Sequence, residues 1–318
     1  MSLHMLPEDM QRTNEIYYAR KHIDPDIQKF IETDEVLQQA VDTGTQYFDQ
    51  WLNNANHHES KQARLQQLVH LDYHELVVGI FTEIAYCYRP ELFVSLTGKL
   101  ASRLSFSDRA DSIKTIAEVV TVLSYTGAFT LFKNDEMGRL YVQATFDLPP
   151  QLHQRIARSE YLPPMVCEPR DIHSNYESPL ITINESVMLG RGNNHNGDLC
   201  LDVVNTQNKV PLQLVWDLIS TEEEFPKPDM ELDTHVKQAD WQHFKVTSYQ
   251  MNIAMHKQGN HFWLLNKYDA RGRLYAQGYH ITTQGSAYKK ASVELANEEV
   301  VNGVPLQLQR KANTHHTA

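Results

Sequence analysis

From Asp24 to Leu52, apolar residues recur at helical spacing among acidic ones (Ile27, Phe30, Ile31, Val36 and Leu37). The pattern predicts an amphipathic helical region with a break near Thr33-Asp34. A second helical stretch is predicted from Arg64 to Tyr88, stopped by Pro90. A third has Ser107 or Asp108 as its cap and Asp111 in its first turn. Its stripe is Ile113, Ile116, Ala117, Val120 and Leu123, and Gly127 ends it. Phe129-Thr130-Leu131-Phe132 and Arg139 to Ala144 then read as a hairpin around Asn134 to Gly138. Residues 161–196 are rich in proline and asparagine and read as an extended connector lying over another element. Asp198 to Ile219 is predicted helical with an interruption at Pro211. The acidic, proline-bearing Glu222 to Asp229 separates it from a helix at about Asp240 to Lys257. His261 to Leu265 is apolar and bulky enough for a buried strand.

The stretch after that strand carries the chemistry: Asp269-Ala270-Arg271-Gly272-Arg273-Leu274-Tyr275. With period two, Arg273, Tyr275 and Gln277 share one face of a strand, while Leu274 and Ala276 point to the other. Gly272 permits positive φ or close backbone approach just before the polar face begins. A guanidinium fork beside an exposed aromatic suits a phosphate backbone, because it pairs bidentately with phosphate oxygens and stacks. Asp269, four residues before Arg273, is placed to hold that guanidinium. The same residues also suit a loop salt bridge on a hairpin.

Asp-x-x-Gly-Arg followed by an apolar residue and Tyr resembles the DxxGR signature of the phage-type (T-seven-like) single-subunit DNA-dependent RNA polymerases. Weaker similarities run in family order over roughly residues 110–300. The helix from Ile116 to Leu131, with Tyr125-Thr126-Gly127, precedes Leu162-Pro163-Pro164-Met165-Val166-Cys167-Glu168-Pro169. Gln207-Asn208 and Asn266 follow, and Thr283-Gln284-Gly285-Ser286 with Lys289-Lys290 resembles the family's Pro-Gln-Gly segment and its lysine. The residue after that segment is Ala287, where the family usually has an aspartate.

The resemblance implies an α+β, mainly helical fold. A helical N-terminal domain (1–160, with the hairpin near 128–146) and the connector (161–196) lead to a short helical thumb (197–260). Residues 261–318 begin a right-hand palm. Family members hold template strand and RNA–DNA hybrid by the backbone near this motif, which points to Asp269, Arg271, Gly272, Arg273 and Tyr275, with Lys289 and Lys290. The magnesium-binding palm aspartates and the fingers helix lie well downstream of DxxGR in the family, beyond the last residue, Ala318. The chain would then be an expression fragment, a degenerate relic or one chain of a split enzyme. Under the last reading it is similar to the smaller, N-terminal chain of the two-chain polymerases of N-four-like bacteriophages. The expected partners are a second chain with fingers and catalytic aspartates, a DNA template, the RNA–DNA hybrid, and NTPs in the assembled enzyme. Magnesium would be bound mainly by the partner, so no catalytic or metal-binding residue is expected here. The reduced N-terminal region suggests single-stranded-DNA-binding or promoter-recruiting factors, and the compartment would be the cytoplasm of the infected bacterial host.

Composition refines this picture. Over 318 residues, 41% are hydrophobic and 22% charged, enough for an ordered core and about two domains. The net charge of −11 opposes nonspecific nucleic-acid binding. Between Leu265 and Ser292, however, five cations stand against one carboxylate, so polyanion contact is expected at the C-terminal end. Cys87, Cys167 and Cys200 are too widely spaced for a CxxC site or a disulfide framework, and no apolar run is long enough for a membrane span. His70 and His74 read as i, i+4 on a helix, a spacing that also chelates metal. The donor-rich loop Gly190 to Gly197 suits either a mobile loop or a phosphate cradle. The rival function is a non-enzymatic phage adaptor or scaffold with an incidental basic C-terminal patch.

Overall fold

The first helix, α1 (Pro7–Tyr18), is separated from α2 (Arg20–Thr33) by Ala19 in extended conformation. In this computed structural model the chain is α+β and mainly helical, with three small antiparallel sheets among the described residues. Those residues are 6–54, 58–104, 106–134, 138–159, 161–190, 193–226, 232 and 235–297. The chain divides into two compact units, Ile16–Glu160 and a second one joining Met1–Glu15 to Tyr161–Ala318.

The first unit is helical because its apolar residues form stripes. Ile23, Ile27 and Ile31 of α2 are fully buried, each burial stabilising by about 1.5–3 kcal/mol. Asp34 is the break: its N–H caps the end of α2 through Phe30 O, and its carboxylate accepts the Leu37 N–H at 3.0 Å to start α3 (Glu35–Leu52). The stretch predicted from Arg64 to Tyr88 is divided instead. α4 (Glu59–Leu65) and a short 3-10 turn precede α5 (Tyr73–Ala85), because Asp72 caps a new helix through the Glu75 N–H. All residues of α5 from Leu76 to Ala85 are buried, so this helix runs through the core. α6 (Phe93–Leu100) and α7 (Arg109–Leu123) follow, with Asp108 as the cap of α7. Its inward stripe includes Thr115 and Val119 as well as Ile116, Val120 and Leu123, turned slightly from the apolar positions alone. Gly44 lies where α3 meets its neighbours; a Cβ there would approach Leu123 Cδ2 to 3.0 Å and Val77 Cγ1 to 3.3 Å.

β1 (Glu91–Leu92), β2 (Phe129–Asn134) and β3 (Arg139–Ala144) form one sheet in the order β1-β3-β2, and α8 (Pro150–Arg158) closes the unit. The predicted hairpin is present with Phe129 opposite Ala144; part of its turn lies outside the described residues. Glu83, almost fully buried, pairs with Arg20 at 3.0 Å. That guanidinium lies 3.8 Å from the Tyr86 ring centroid, and the Tyr86 hydroxyl donates to Asp24 at 2.7 Å. The buried carboxylate is thus compensated by a charge whose own face is covered.

In the second unit, residues 161–190 contain no helix or ladder strand, yet Met165, Val166, Cys167, Ile172, Leu180 and Val187 are buried. The helical reading of Asp198 to Ile219, with its break at Pro211, holds on either side of the break and is corrected at residues 212–214. α9 (Leu201–Asn208) is followed by strand β4 (Leu212–Leu214) and then α10 (Trp216–Thr221), because Pro211 has no N–H for a helix and the next residues pair sideways. α11 (His235–Lys257) buries Ser248, Met251, Asn252 and Met255 on one face. β5 (Asn266–Tyr268), β6 (Leu274–Ala276), α12 (Ala287–Ala291) and β7 (Val293–Leu295) complete it, with β4 pairing β7 and β5 pairing β6. The segment expected to be a buried strand, His261 to Leu265, makes only isolated bridges, Phe262 to Leu212 and Trp263 to Met165. Glu15 of α1 is buried here, its carboxylate accepting from the Gln11 side chain (2.8 Å), from the Ile181 (2.9 Å) and Thr182 (2.6 Å) N–H groups, and from the Thr182 hydroxyl (2.6 Å).

Two outcomes test this packing. Gly44→Leu should lower unfolding stability by about 1–3 kcal/mol in a urea titration; an unchanged midpoint would refute the close helix approach. A thiol reagent should modify exposed Cys200 in the native protein and reach Cys87 and Cys167 only on unfolding. Burial, then the Glu91 charge, pushes the Cys87 thiol up to about 12, and burial raises Cys167 as well.

Candidate nucleic-acid interface

The Asp269–Tyr275 block folds as the tip of the β5–β6 hairpin. Lys267 faces Tyr275, and Tyr268 faces Leu274. The Gly272 N–H donates to Asp269 O at 3.0 Å and the Asp269 N–H to Arg273 O at 2.9 Å, closing a tight turn. Gly272 sits at φ 76°, where a side chain is strained, so its place in the motif follows from the turn. The Asp269 carboxylate organises the rest. One oxygen accepts the Arg271 and Arg273 N–H groups, each at 2.9 Å. The other accepts Arg273 Nε at 2.8 Å and Nη2 at 2.6 Å.

Of the two readings of the seven residues, the salt bridge is observed. It fixes a guanidinium that remains about half exposed, while Arg271 is about three-quarters exposed. The Arg273 guanidinium carbon also lies 5.3 Å from the Tyr275 ring centroid. The Arg273 backbone N–H, then its side chain, hold the Asp269 carboxyl below the ordinary aspartate range, and the hydrogen bond to Asp269 raises Arg273 further.

The hairpin is held from behind by α9. Tyr268 donates its hydroxyl to Cys200 O at 3.0 Å. Its ring packs with Ile172, Val187, Met188 and Val204, against which Leu274 also lies, so Leu274 takes the packed face of β6. At the start of β5, the Asn266 N–H donates to Asn208 Oδ1 at 2.7 Å, which joins two asparagines that are 58 positions apart. On the outer edge of β6, the Gln284 amide accepts the Ala276 N–H at 3.0 Å and donates to Leu274 O at 3.4 Å. Asn205 was not singled out by the sequence; its amide accepts from and donates to the Ile172 backbone at 3.0 and 2.9 Å. Its only signal is its place three residues before Asn208 on a short helix.

The two lysines are placed differently. Both lie on α12, which is capped by Ser286. Lys289 bonds the Tyr279 carbonyl and sits 4.8 Å from the Phe244 ring centroid and 5.2 Å from that of Tyr279, which places its ammonium among these aromatic rings. Lys290 is exposed. Lys267, one of the five cations near the motif, is paired with Glu185 at 2.6 Å.

The metal readings divide. His70 lies in the turn before Asp72 and His74 in the first turn of α5, so the pair does not share a helix as its spacing suggested. Among the described residues, no group of three or more His, Cys, Asp or Glu is arranged to hold an ion. Asp269 commits both carboxylate oxygens to its own turn and to Arg273, so it does not fit as a magnesium ligand. In the Gly190 to Gly197 loop, Asn175 donates to His195 O and Gly197 O at 2.8 and 2.7 Å; Arg191 and Gly192 lie outside the described residues. No described helix is long and apolar enough to cross a membrane. No protein-family profile matches the sequence, and no curated protein matches it significantly.

The depressed Asp269 carboxyl gives a pH expectation with a definite sign. Its contribution to the hairpin is full above the ordinary aspartate value of 3.8 and is lost as pH falls through the lower folded value. Followed by NMR, the Arg273 side-chain Nε–H signal should hold from pH 6 to about 4 and change below that. A transition centred above 3.8 would contradict the arrangement.

Proposed function

We propose that this chain is the non-autonomous subunit of a two-chain DNA-dependent RNA polymerase, holding template strand and RNA–DNA hybrid at the DxxGR hairpin. The observation that carries the reading is the Asp269–Arg273 lock, which presents a partly exposed guanidinium in a fixed orientation beside an aromatic ring. A polymerase acts on every sequence, so its template grip must contact phosphates and helix shape, not base edges. A pre-oriented planar fork suits that task because little freedom is lost when it meets a phosphate. Arg271, on the same turn, supplies a second cation.

In this reading the second chain brings the fingers and the palm aspartates. Magnesium, held mainly by those aspartates, would stabilise the charge that develops in nucleotidyl transfer. This chain's own residues do the holding: Asp269 orients Arg273, Gly272 allows the turn, and α9 fixes the hairpin through Asn208 and Tyr268. NTPs enter only the assembled enzyme. Single-stranded-DNA-binding or promoter-recruiting factors would choose start sites, in the cytoplasm of an infected bacterial host. The net charge of −11 is consistent with a grip confined to one turn and completed by a partner.

The test purifies the chain from its infected host; a second chain carrying palm aspartates should co-purify, its absence would overturn the reading, and the pair is then assayed. Arg273→Ala should leave assembly intact, weaken retention of a DNA–RNA hybrid about ten- to a hundredfold, and reduce the salt slope of binding by about one. Arg273→Lys should restore the charge and only part of the retention. Unchanged retention in the alanine variant, or primer extension by this chain alone, would overturn the reading.

A further inference from the structure

Away from the hairpin, a cavity of about 570 Å³ lies among α10, α11, α12 and β7. Its floor is aliphatic, made by Leu214, Ile219, Ile281 and Val293. One wall is the run Glu222, Glu223 and Glu224, of which the first two are exposed. That wall is built: Tyr288 donates its hydroxyl to Glu222 O at 3.1 Å, Ser286 donates to Glu224 at 2.6 Å, and Lys245 pairs with Glu223 at 3.0 Å. The opposite side carries Lys289 and His280; the imidazole is buried against Ser248 Oγ at 2.8 Å, and burial, then Lys289, lowers its pKa to about 4. Lys289 turns its ammonium to Tyr279 O and the neighbouring rings.

Large apolar side chains stand exposed at the mouth. Val246 (54% exposed) and Tyr249 (47%) line it, and Phe225 (75%) directly follows the glutamate wall. Apolar surface that extends past a pocket onto its rim marks an interaction site more than a small-ligand site. Three carboxylates against Lys245 and Lys289 leave the lining net acidic, with Glu222 exposed on the rim, which favours a basic partner over a phosphate backbone.

We infer that this cavity is the seat for a basic amphipathic segment of a protein partner, its apolar side chains on the aliphatic floor and its lysines or arginines against the exposed Glu222. The wall bonds hold the seat open before the partner arrives, which lowers the ordering cost of binding. The inference is independent of the polymerase reading; under that reading the second chain is where such a segment should be sought.

The experiment titrates the full chain against a fluorescent helical peptide of about 14 residues, four turns, with leucines on one face and lysines on the other. Saturable one-to-one binding is expected, with a counterpart carrying glutamate for lysine bound at least about tenfold more weakly. Glu222→Lys and Val246→Asp, both at exposed positions, should each weaken the lysine peptide about tenfold, whereas Glu32→Lys on α2 should not. The inference is overturned if the lysine peptide does not bind, if the glutamate peptide binds as well, if both cavity variants bind normally, or if Glu32→Lys causes an equal loss.

Discussion

Side-chain amides that stand where a neighbouring strand would be hold the C-terminal unit together. Its strands are short, three residues each in β4, β5, β6 and β7, so their edges leave backbone N–H and C=O groups that must find partners. A carboxamide offers one donor and one acceptor at peptide-like spacing, and the fold uses this repeatedly. Asn205 pairs with both backbone groups of Ile172, Asn260 with both of Leu214 at 3.0 Å each, and Gln284 with Ala276 and Leu274. Asn208 completes the set at Asn266, and its own Nδ2 is left without a hydrogen-bond partner among the described residues. Each is a net contribution of about 1 kcal/mol, but loss of Asn205, Asn260 or Gln284 leaves two backbone groups unsatisfied and loss of Asn208 leaves one.

The DxxGR tip inherits its precision from that scaffold. The turn itself is local: an aspartate short enough to reach two amides, a glycine at positive φ, and an arginine one hydrogen bond away. Where the tip sits is decided by α9 behind it and by the extended connector, whose Val187 and Leu189 pair with Tyr268 at 2.9 and 2.7 Å. A mobile arginine on a loop would lose orientational freedom on meeting a phosphate. One locked by its own carboxylate has already lost it. The same economy appears at Glu15, a buried carboxylate made tolerable by four donors.

The Ile16–Glu160 unit obeys a different physics. Its order comes from apolar stripes meeting around α5, with Gly44 permitting close helix contact. Polar groups there include the caps at Asp34, Asp72 and Asp108 and the buried Glu83 paired with Arg20. Hydrophobic burial is non-directional and tolerant. Hydrogen-bonded amides are directional and fix the orientation of the backbone they bind.

Local rules were legible in the sequence wherever interaction partners are near neighbours. The break at Asp34, the Asp108 cap, the β2–β3 hairpin, the long helix ending at Lys257 and the Asp269–Arg273 pair all depend on residues within a few positions of one another. What only the tertiary structure decided was pairing across distance. Residues 212–214 become a strand because 293–295 lies beside them, against a helical reading of their own neighbourhood. His70 is kept off the helix by the cap at Asp72, and the Lys289 ammonium is placed among the rings of Phe244 and Tyr279. Asn208 meets Asn266, and Gln284 covers an edge, through contacts that no periodicity encodes. Periodicity reports which face of an element is apolar, whereas a side-chain amide binds any strand edge brought within 3 Å. The sequence therefore determined the turn and its charges, and the tertiary structure determined what holds that turn in place.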